Sequence, residues 1–401
     1  MTAAPSRRSV PAMSSGCITG WAHTEFGRRD EPDVEALMAK VSLAALEHAG
    51  VEVGEVDAIV VGVLNGGFSR QVFEGALAAR ADARLAMTPA LHVENACATG
   101  SAAIYSALDR IEAGRAGTVL VIGAEKMTAL PNDQVGEILL GSSYLKEEQA
   151  FGSFAGVFGQ IATAYFDRYG DRSDELAMIA AKNHRNGVDN PWAHLRKDLG
   201  YEFCRQVGPK NPLVAGPLRR TDCSMVSDGA AAVVVQSAEQ ARSAPRAIGF
   251  RARNQANDHL AIGDRDPTAF DGPRAAWSAS LAEAGIGSTL DLDLVELHDC
   301  FTIAELILYE AMGLAEPGEG RRVIREGVAD PHGPLPVNRS GGLKAKGHPI
   351  GATGVSQHIM VAQQLVGEAG AMQVEGAQVG GVLNMGGAAV ASYASILERV
   401  G

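Results

Sequence analysis

The chain has 401 residues, 46% hydrophobic and 20% charged, which excludes a disordered segment and gives room for two or three domains around a large core. Its net charge of −12 argues against nucleic acid as the main partner, because phosphate backbones need a basic field. An anionic small molecule stays open, since helix N-termini and local basic residues hold phosphates even on acidic proteins.

Residues 1–15 are small and polar with Arg7 and Arg8 adjacent, and lack the apolar stretch of a secretory signal; they read as a flexible tail. Residues 16–20 form a short apolar run. Helical periodicity over 34–48 ends at Gly50, a C-cap, and a valine-rich run over 58–64 reads as a buried parallel strand. A small-residue helix over 98–114 leads to a strand at 118–123. From about 127 to 218 the texture changes: aromatic and polar residues become commoner and strand-like runs disappear, with 175–183 helical and 186–194 a loop. A buried strand then returns within 221–236.

The pattern recurs. A helix ending in Ala49-Gly50, then a loop and an acid-led strand, is matched by a helix ending in Ala284-Gly285, a loop and a strand at 292–297. The helix–strand pair 98–123 is matched by 352–370 and 378–384. Duplication of an α/β half accounts for both matches; chance likeness between α/β units is the alternative. The division expected is a first half over 16–126 and 219–247, an inserted loop domain over 127–218, and a second half over 248–401. No membrane-length apolar run of roughly 20 residues occurs.

Five cysteines (17, 97, 204, 223, 300) form no CxxC pair or zinc-spaced cluster, so free thiols in a reducing, cytoplasmic setting and no metal are expected. Cys97 follows a strand end and precedes a helix rich in small residues. The helix N-terminus there favours the thiolate, although the segment alone reads equally as an inert buried cysteine. His348 is held between Gly347 and Pro349 before a helix, which fixes an imidazole able to take a proton from a thiol. No GxGxxG or GxxxxGK[ST] pattern accompanies it. His298 and Cys300 stand at the C-terminal end of a strand, where ligands of open α/β folds bind; a core histidine and cysteine is the other reading. The run from Val382 into Gly386-Gly387 offers backbone N–H groups for an oxyanion hole, and alone is only a turn.

Together these segments resemble the thiolase superfamily over nearly the whole chain beyond the tail. Residues 92–103 look like its nucleophile segment, and 347–354 (GHPIGATG) match its histidine motif. HDCF at 298–301, with the loop 183–197, narrows the likeness to the sterol-carrier-protein type, since most thiolases carry NEAF there. The resemblance implies a duplicated five-layer α-β-α-β-α fold and a homodimer or homotetramer. It implies an acyltransferase of lipid or fatty-acid metabolism that uses coenzyme A as substrate, with no tightly bound cofactor. Cys97 would be the acylated nucleophile, His348 its activator and His298 part of one oxyanion hole. Backbone N–H groups of Cys97 and Gly386 would form the other. Most thiolases have a second catalytic cysteine where Asn384 stands here; Asn cannot shuttle a proton, so another acid/base is required, and the likeness to the sterol-carrier-protein type implies Cys300 as the candidate.

Basic residues Lys182, Arg185, Arg196 and Lys197 are candidates for CoA phosphates or a solvated face. The chain ends soon after the core, so no fused sterol-carrier domain is expected. The alternatives are an acyltransferase with a non-CoA acceptor and a small OB-fold partner, and a non-catalytic acyl-CoA or lipid-binding scaffold. Steroid side-chain aldolases of the superfamily fit less well, because they generally lack the nucleophilic cysteine.

Overall fold

The computed structural model describes residues 16–400, so the expected tail over 1–15 lies outside the described residues. Eleven strands are described: β1 (Gly16–His23), β2 (Ala58–Gly62), β3 (Ala90–Val93), β4 (Thr118–Glu125), β5 (Leu213–Ala215), β6 (Leu218–Arg219), β7 (Gly229–Ser237), β8 (Ile248–Asn257), β9 (Leu294–Leu297), β10 (Val379–Gly386) and β11 (Ala391–Arg399). Nine of them form one sheet in the order β3-β2-β4-β7-β1-β8-β11-β10-β9.

The duplication expected from the sequence is visible in this order. β2-β4-β7-β1 and β9-β10-β11-β8 each run parallel, then antiparallel, then antiparallel. The two sets meet at β1 and β8 through only two residue pairs, Cys17 with Gly249 and Ile18 with Ile248. Beyond β2 lies β3, also parallel, and beyond β9 the parallel bridge from Val295 to Val337 takes the same position. The helices ahead of β2 and β9 both end on a left-handed glycine, Gly50 (φ 68°) and Gly285 (φ 64°). Each is followed by a short 3-10 turn whose acid, Glu55 or Asp291, accepts from the backbone three residues earlier.

Strand alternation divides the sheet faces into layers. Ile59, Val61, Leu120, Ile122 and Val234 pack on the helix Val34–Ala49. Their neighbours Val60, Val119, Val121, Val233 and Val235 face the helices Thr99–Glu112 and Ile350–Val366. Those two helices also cover Val382, Leu397 and Phe250 of the second set. Its other face, with Val295, Leu297, Leu383 and Ile396, packs on Trp277 of the helix Asp271–Ala284 and on the helix Thr302–Ala311. The result is five layers, α-β-α-β-α, with the two small-residue helices in the middle. Gly100 permits their close approach: a Cβ there would stand 2.6 Å from the backbone nitrogen of Val355.

Three local expectations need correction. The strand expected within 221–236 begins only at Gly229; residues 220–222 turn instead, because the buried Asp222 binds Arg219 at 2.8 Å. The region 127–218 holds a small hairpin of β5 and β6 beside its helices. Residues 186–188 finish the helix Ser173–Val188 rather than opening the loop. Among the described residues no helix is long and apolar enough to cross a membrane.

Candidate active site

Cys97 stands at the turn between β3 and the helix Thr99–Glu112. Ala96, with φ 46°, reverses the chain in the left-handed region, a costly conformation for a residue with a Cβ. Local bonds hold it: Asn95 N–H donates to Thr99 Oγ1 (2.8 Å), and that hydroxyl donates to the Ala96 carbonyl (2.6 Å). From outside, the Tyr393 hydroxyl accepts from Asn95 Nδ2 at 2.7 Å and Asn384 Nδ2 donates to the Cys97 carbonyl at 3.3 Å. The thiol is buried, and burial pushes it up to about 12, against the Gly387 N–H that bonds to it. The expected bias toward thiolate at the helix N-terminus is therefore not the resting state. Desolvation of the anion outweighs the dipole, and an adjacent base has to take the proton.

His348 occupies the equivalent turn of the second repeat, between Val337 and the helix Ile350–Val366. Its Nδ1 lies 2.6 Å from Thr353 Oγ1, whose hydroxyl donates to the Pro349 carbonyl at 2.9 Å. Burial and then the charge of Lys346 push the imidazole down to about 3, so it is neutral near pH 7. Buried carboxylates carry the loop. Glu296 accepts from Ser340 N–H, Asp299 from Leu343 N–H, and Glu305 from Asn338 Nδ2. Glu125, at the end of β4, accepts from Gly351, Leu64 and Asn65, and burial raises it to about 7. Lys182 reaches in from the helix Ser173–Val188 to pair with Glu305 at 2.9 Å. That pairing removes Lys182 from the candidates for CoA phosphates; Arg185, Arg196 and Lys197 remain exposed.

His298 and Cys300 follow β9 directly and are buried. Cys97 Sγ and one ring nitrogen each of His298 and His348 lie within 4.8 Å of one another, and the two imidazoles meet edge to face at 5.1 Å. His298 is held well below its ordinary pKa by burial and then by His348. Cys300 is raised by burial and next by the neighbouring Cys97 thiol, so it too rests protonated. Cys97, Cys300 and His348 line one cavity of about 190 Å³, walled by Met127, Phe154, Val214, Met225, Phe301 and Ile350. Asn384, in the middle of β10, is fully buried beside them. Gly386 lies against the nucleophile turn, where a Cβ would collide with Asn95 and Ala98, and the next N–H, that of Gly387, reaches the Cys97 thiol.

All four side chains singled out in the sequence thus converge, although they come from turns as far apart as residues 97 and 348. Sequence reasoning missed Glu125, Thr353 and the inward role of Lys182. Thr353 had a local signal, being one helical turn into the motif at His348. Glu125 and Lys182 had none, because the partners of Glu125 lie 60 to 226 residues away and Lys182 pairs with the distant Glu305. Chemically, two protonated thiols, two neutral imidazoles and backbone N–H groups gathered at an apolar cavity that Cys97, Cys300 and His348 line suit acyl transfer through a thioester on cysteine.

The comparisons with known proteins point the same way. The family description "Thiolase, N-terminal domain" matches residues 17–239, and "Thiolase C-terminal domain-like" matches 254–399. Acetyl-CoA acetyltransferase of Methanothermobacter thermautotrophicus is 37% identical over 392 residues, covering 96% of this chain and 100% of that one. Sterol carrier protein 2 of Homo sapiens is 31% identical over 395 residues, 92% of this chain and 69% of its own. In structure, the chain is similar to an Ltp2-ChsH2(DUF35) aldolase with TM-score 0.83 at 22% identity, covering 98% and 99% of the two chains. With both family descriptions spanning its paired halves and a full-length relative at 37% identity, the chain belongs to the thiolase superfamily and is an acyltransferase.

Proposed function

We propose that this protein is a thiolase of the sterol-carrier-protein type that cleaves a 3-oxoacyl-CoA with coenzyme A, or runs the reverse condensation, through an acyl group on Cys97. The observation that carries this is the convergence of Cys97, Cys300 and His348 on one cavity, with His298 within 4.8 Å of the Cys97 sulfur and the His348 ring. His348 takes the Cys97 proton, and the sulfur attacks the 3-keto carbon. The C2–C3 bond breaks, and its electrons pass to an enolate whose thioester oxygen is held by His298. Cys300, resting as a thiol, gives its proton to C2 and releases acetyl-CoA. Incoming CoA returns a proton to Cys300 as its sulfur attacks the acyl carbon, and Cys97 recovers its own proton from His348. N–H groups at Cys97 and at Gly386 or Gly387 hold the acyl oxygen.

Intact-mass spectrometry after mixing with acetyl-CoA tests the core of this reading. An acetyl adduct on the wild type that vanishes in Cys97→Ala is expected; an unmodified wild type across several acyl-CoAs would favour a non-catalytic scaffold. Cys300→Ala separates CoA thiolysis from transfer to another acceptor, since full activity on acetoacetyl-CoA would remove Cys300 from the mechanism.

A homodimer through β3 fits the exposed apolar surface there. β3 is an edge strand with Leu91 half-open to solvent, and Met87 nearby is 98% exposed. Light scattering on a sizing column should give at least a dimer at micromolar concentration, and pairing of dimers would give a homotetramer. A small partner protein is a second reading, prompted by the two-component aldolase of similar fold. The cytoplasm suits the five free cysteines.

A further inference from the structure

The two histidines beside Cys97 are asked for opposite things. One must accept a proton from sulfur, and the other must donate to an oxygen. A neutral imidazole does either, according to which nitrogen carries its hydrogen.

The hydrogen bonds settle which. The Thr353 hydroxyl has one hydrogen and spends it on the Pro349 carbonyl, which can only accept. Toward His348 it is left as an acceptor, so Nδ1 of His348 carries the hydrogen and Nε2 is a lone pair. At His298 the partner is Asn384. Its Nδ2 lies 3.3 Å from the Cys97 carbonyl, again an acceptor only, so that end of the amide must be the NH2 group. The other end, Oδ1, accepts from Ser101 Oγ at 2.7 Å, a contact compatible with that orientation. The same NH2 lies 2.9 Å from His298 Nδ1, so that nitrogen is the acceptor and the hydrogen sits on Nε2. Both Nε2 atoms are buried with no hydrogen-bond partner among the described residues, and His348 lines the cavity beside Cys97.

We propose that Asn384 is a positioning residue that locks His298 as an Nε2–H donor, the tautomer opposite to that which Thr353 imposes on His348. This rests on the reading of His298 as the oxyanion donor of the carbon–carbon step. It gives the residue at the position of the usual second cysteine a purpose of its own. An amide there cannot move a proton, but it presents a fixed hydrogen to Nδ1, which a carboxylate would not. Depressed basicity of both rings keeps them neutral, so the choice of tautomer decides their behaviour.

Asn384→Asp, nearly the same in shape, replaces the donor by an acceptor. The Nδ1 of His298 must then carry a hydrogen, and its Nε2 is bare unless the ring takes a second proton. Two reactions are compared. Exchange of labelled CoA with acetyl-CoA needs Cys97, His348 and the backbone hole, but not His298. Thiolysis of acetoacetyl-CoA needs His298 as well. The expected result is a fall of about 10²-fold in kcat for thiolysis, the cost of one oxyanion donor, with exchange within about threefold of wild type. The thiolysis deficit should shrink as pH falls, because the new carboxylate favours the imidazolium, which again donates from Nε2. Equal losses in both reactions, or a deficit flat in pH, would overturn the proposal.

If Asn384→Asp does not fold, ¹⁵N shifts of histidine-labelled wild type decide. A protonated Nε2 at His298 with a protonated Nδ1 at His348 is expected, and the same tautomer at both refutes the lock. A wild type that fails to exchange CoA would instead sink the thiolase reading while leaving the tautomers as they are.

Discussion

The turns bearing Cys97 and His348 hold the same place in two repeats of one α/β unit, yet they are supported in different ways. The nucleophile turn is short and largely self-supporting, with Asn95, Ala96 and Thr99 bonded to one another within five residues. The histidine turn is longer and rests on the buried carboxylates of Glu125, Glu296, Asp299 and Glu305, with Lys182 brought from the helix Ser173–Val188. A thiol needs only to be placed at a helix start. An imidazole that must present one chosen nitrogen needs its whole loop fixed, and buried charge-assisted bonds fix it more firmly than a local turn can.

Breaking the second turn at its end should have the largest effect. His348→Asn removes the base and should lower kcat for thiolysis by about 10²–10⁴-fold with an unchanged melting temperature; a loss under about tenfold would assign the base elsewhere. Next, Lys182→Met strands Glu305 without its ion pair and should cost about 3–5 kcal/mol in denaturant unfolding. A loss as small as that of a surface substitution would show that the carboxylates do not depend on Lys182. Thr353→Val leaves His348 Nδ1–H buried without an acceptor and should cost about 1–3 kcal/mol, read mainly as slower acylation of Cys97 in a burst experiment. In the first turn, Thr99→Val should cost only about 1 kcal/mol; a penalty matching that of Lys182→Met would erase the contrast.

The response to pH is the most gradual effect. Burial lowers His348, His23 and His184 to about 3 and His358 to about 4, from an ordinary 6.5. Unfolding releases these rings to bind protons, so their contribution to stability is complete above pH 6.5 and is lost as pH falls toward 3. Glu125, raised from 4.5 to about 7, acts in the opposite sense, its contribution being lost as pH rises through that range. Asp299, also raised, has the same sign. The imidazoles outnumber them, so chemical denaturation should show stability falling from about pH 7 to about pH 5, and a flat or rising curve would contradict their burial as neutral rings.

The motifs around Cys97, His298, Cys300 and His348 were legible because each is a contiguous stretch whose small residues and strand–helix junctions leave a local trace. So was the duplication, since Gly50 and Gly285 end equivalent helices and an acid opens each following turn. The strand boundary near 221 was not, because Asp222 is drawn into a buried ion pair rather than into the sheet. The sequence by itself determined the repeated α/β unit, the thiol at one helix start and the histidine at the other. Only the tertiary structure decided that the thiol rests protonated and that Lys182 points inward. It also decided which nitrogen each histidine presents. Desolvation sets the first, and partners distant along the chain set the place of Lys182 and the nitrogen of His298, none of which marks the local chain; the nitrogen of His348 alone is set nearby, by Thr353.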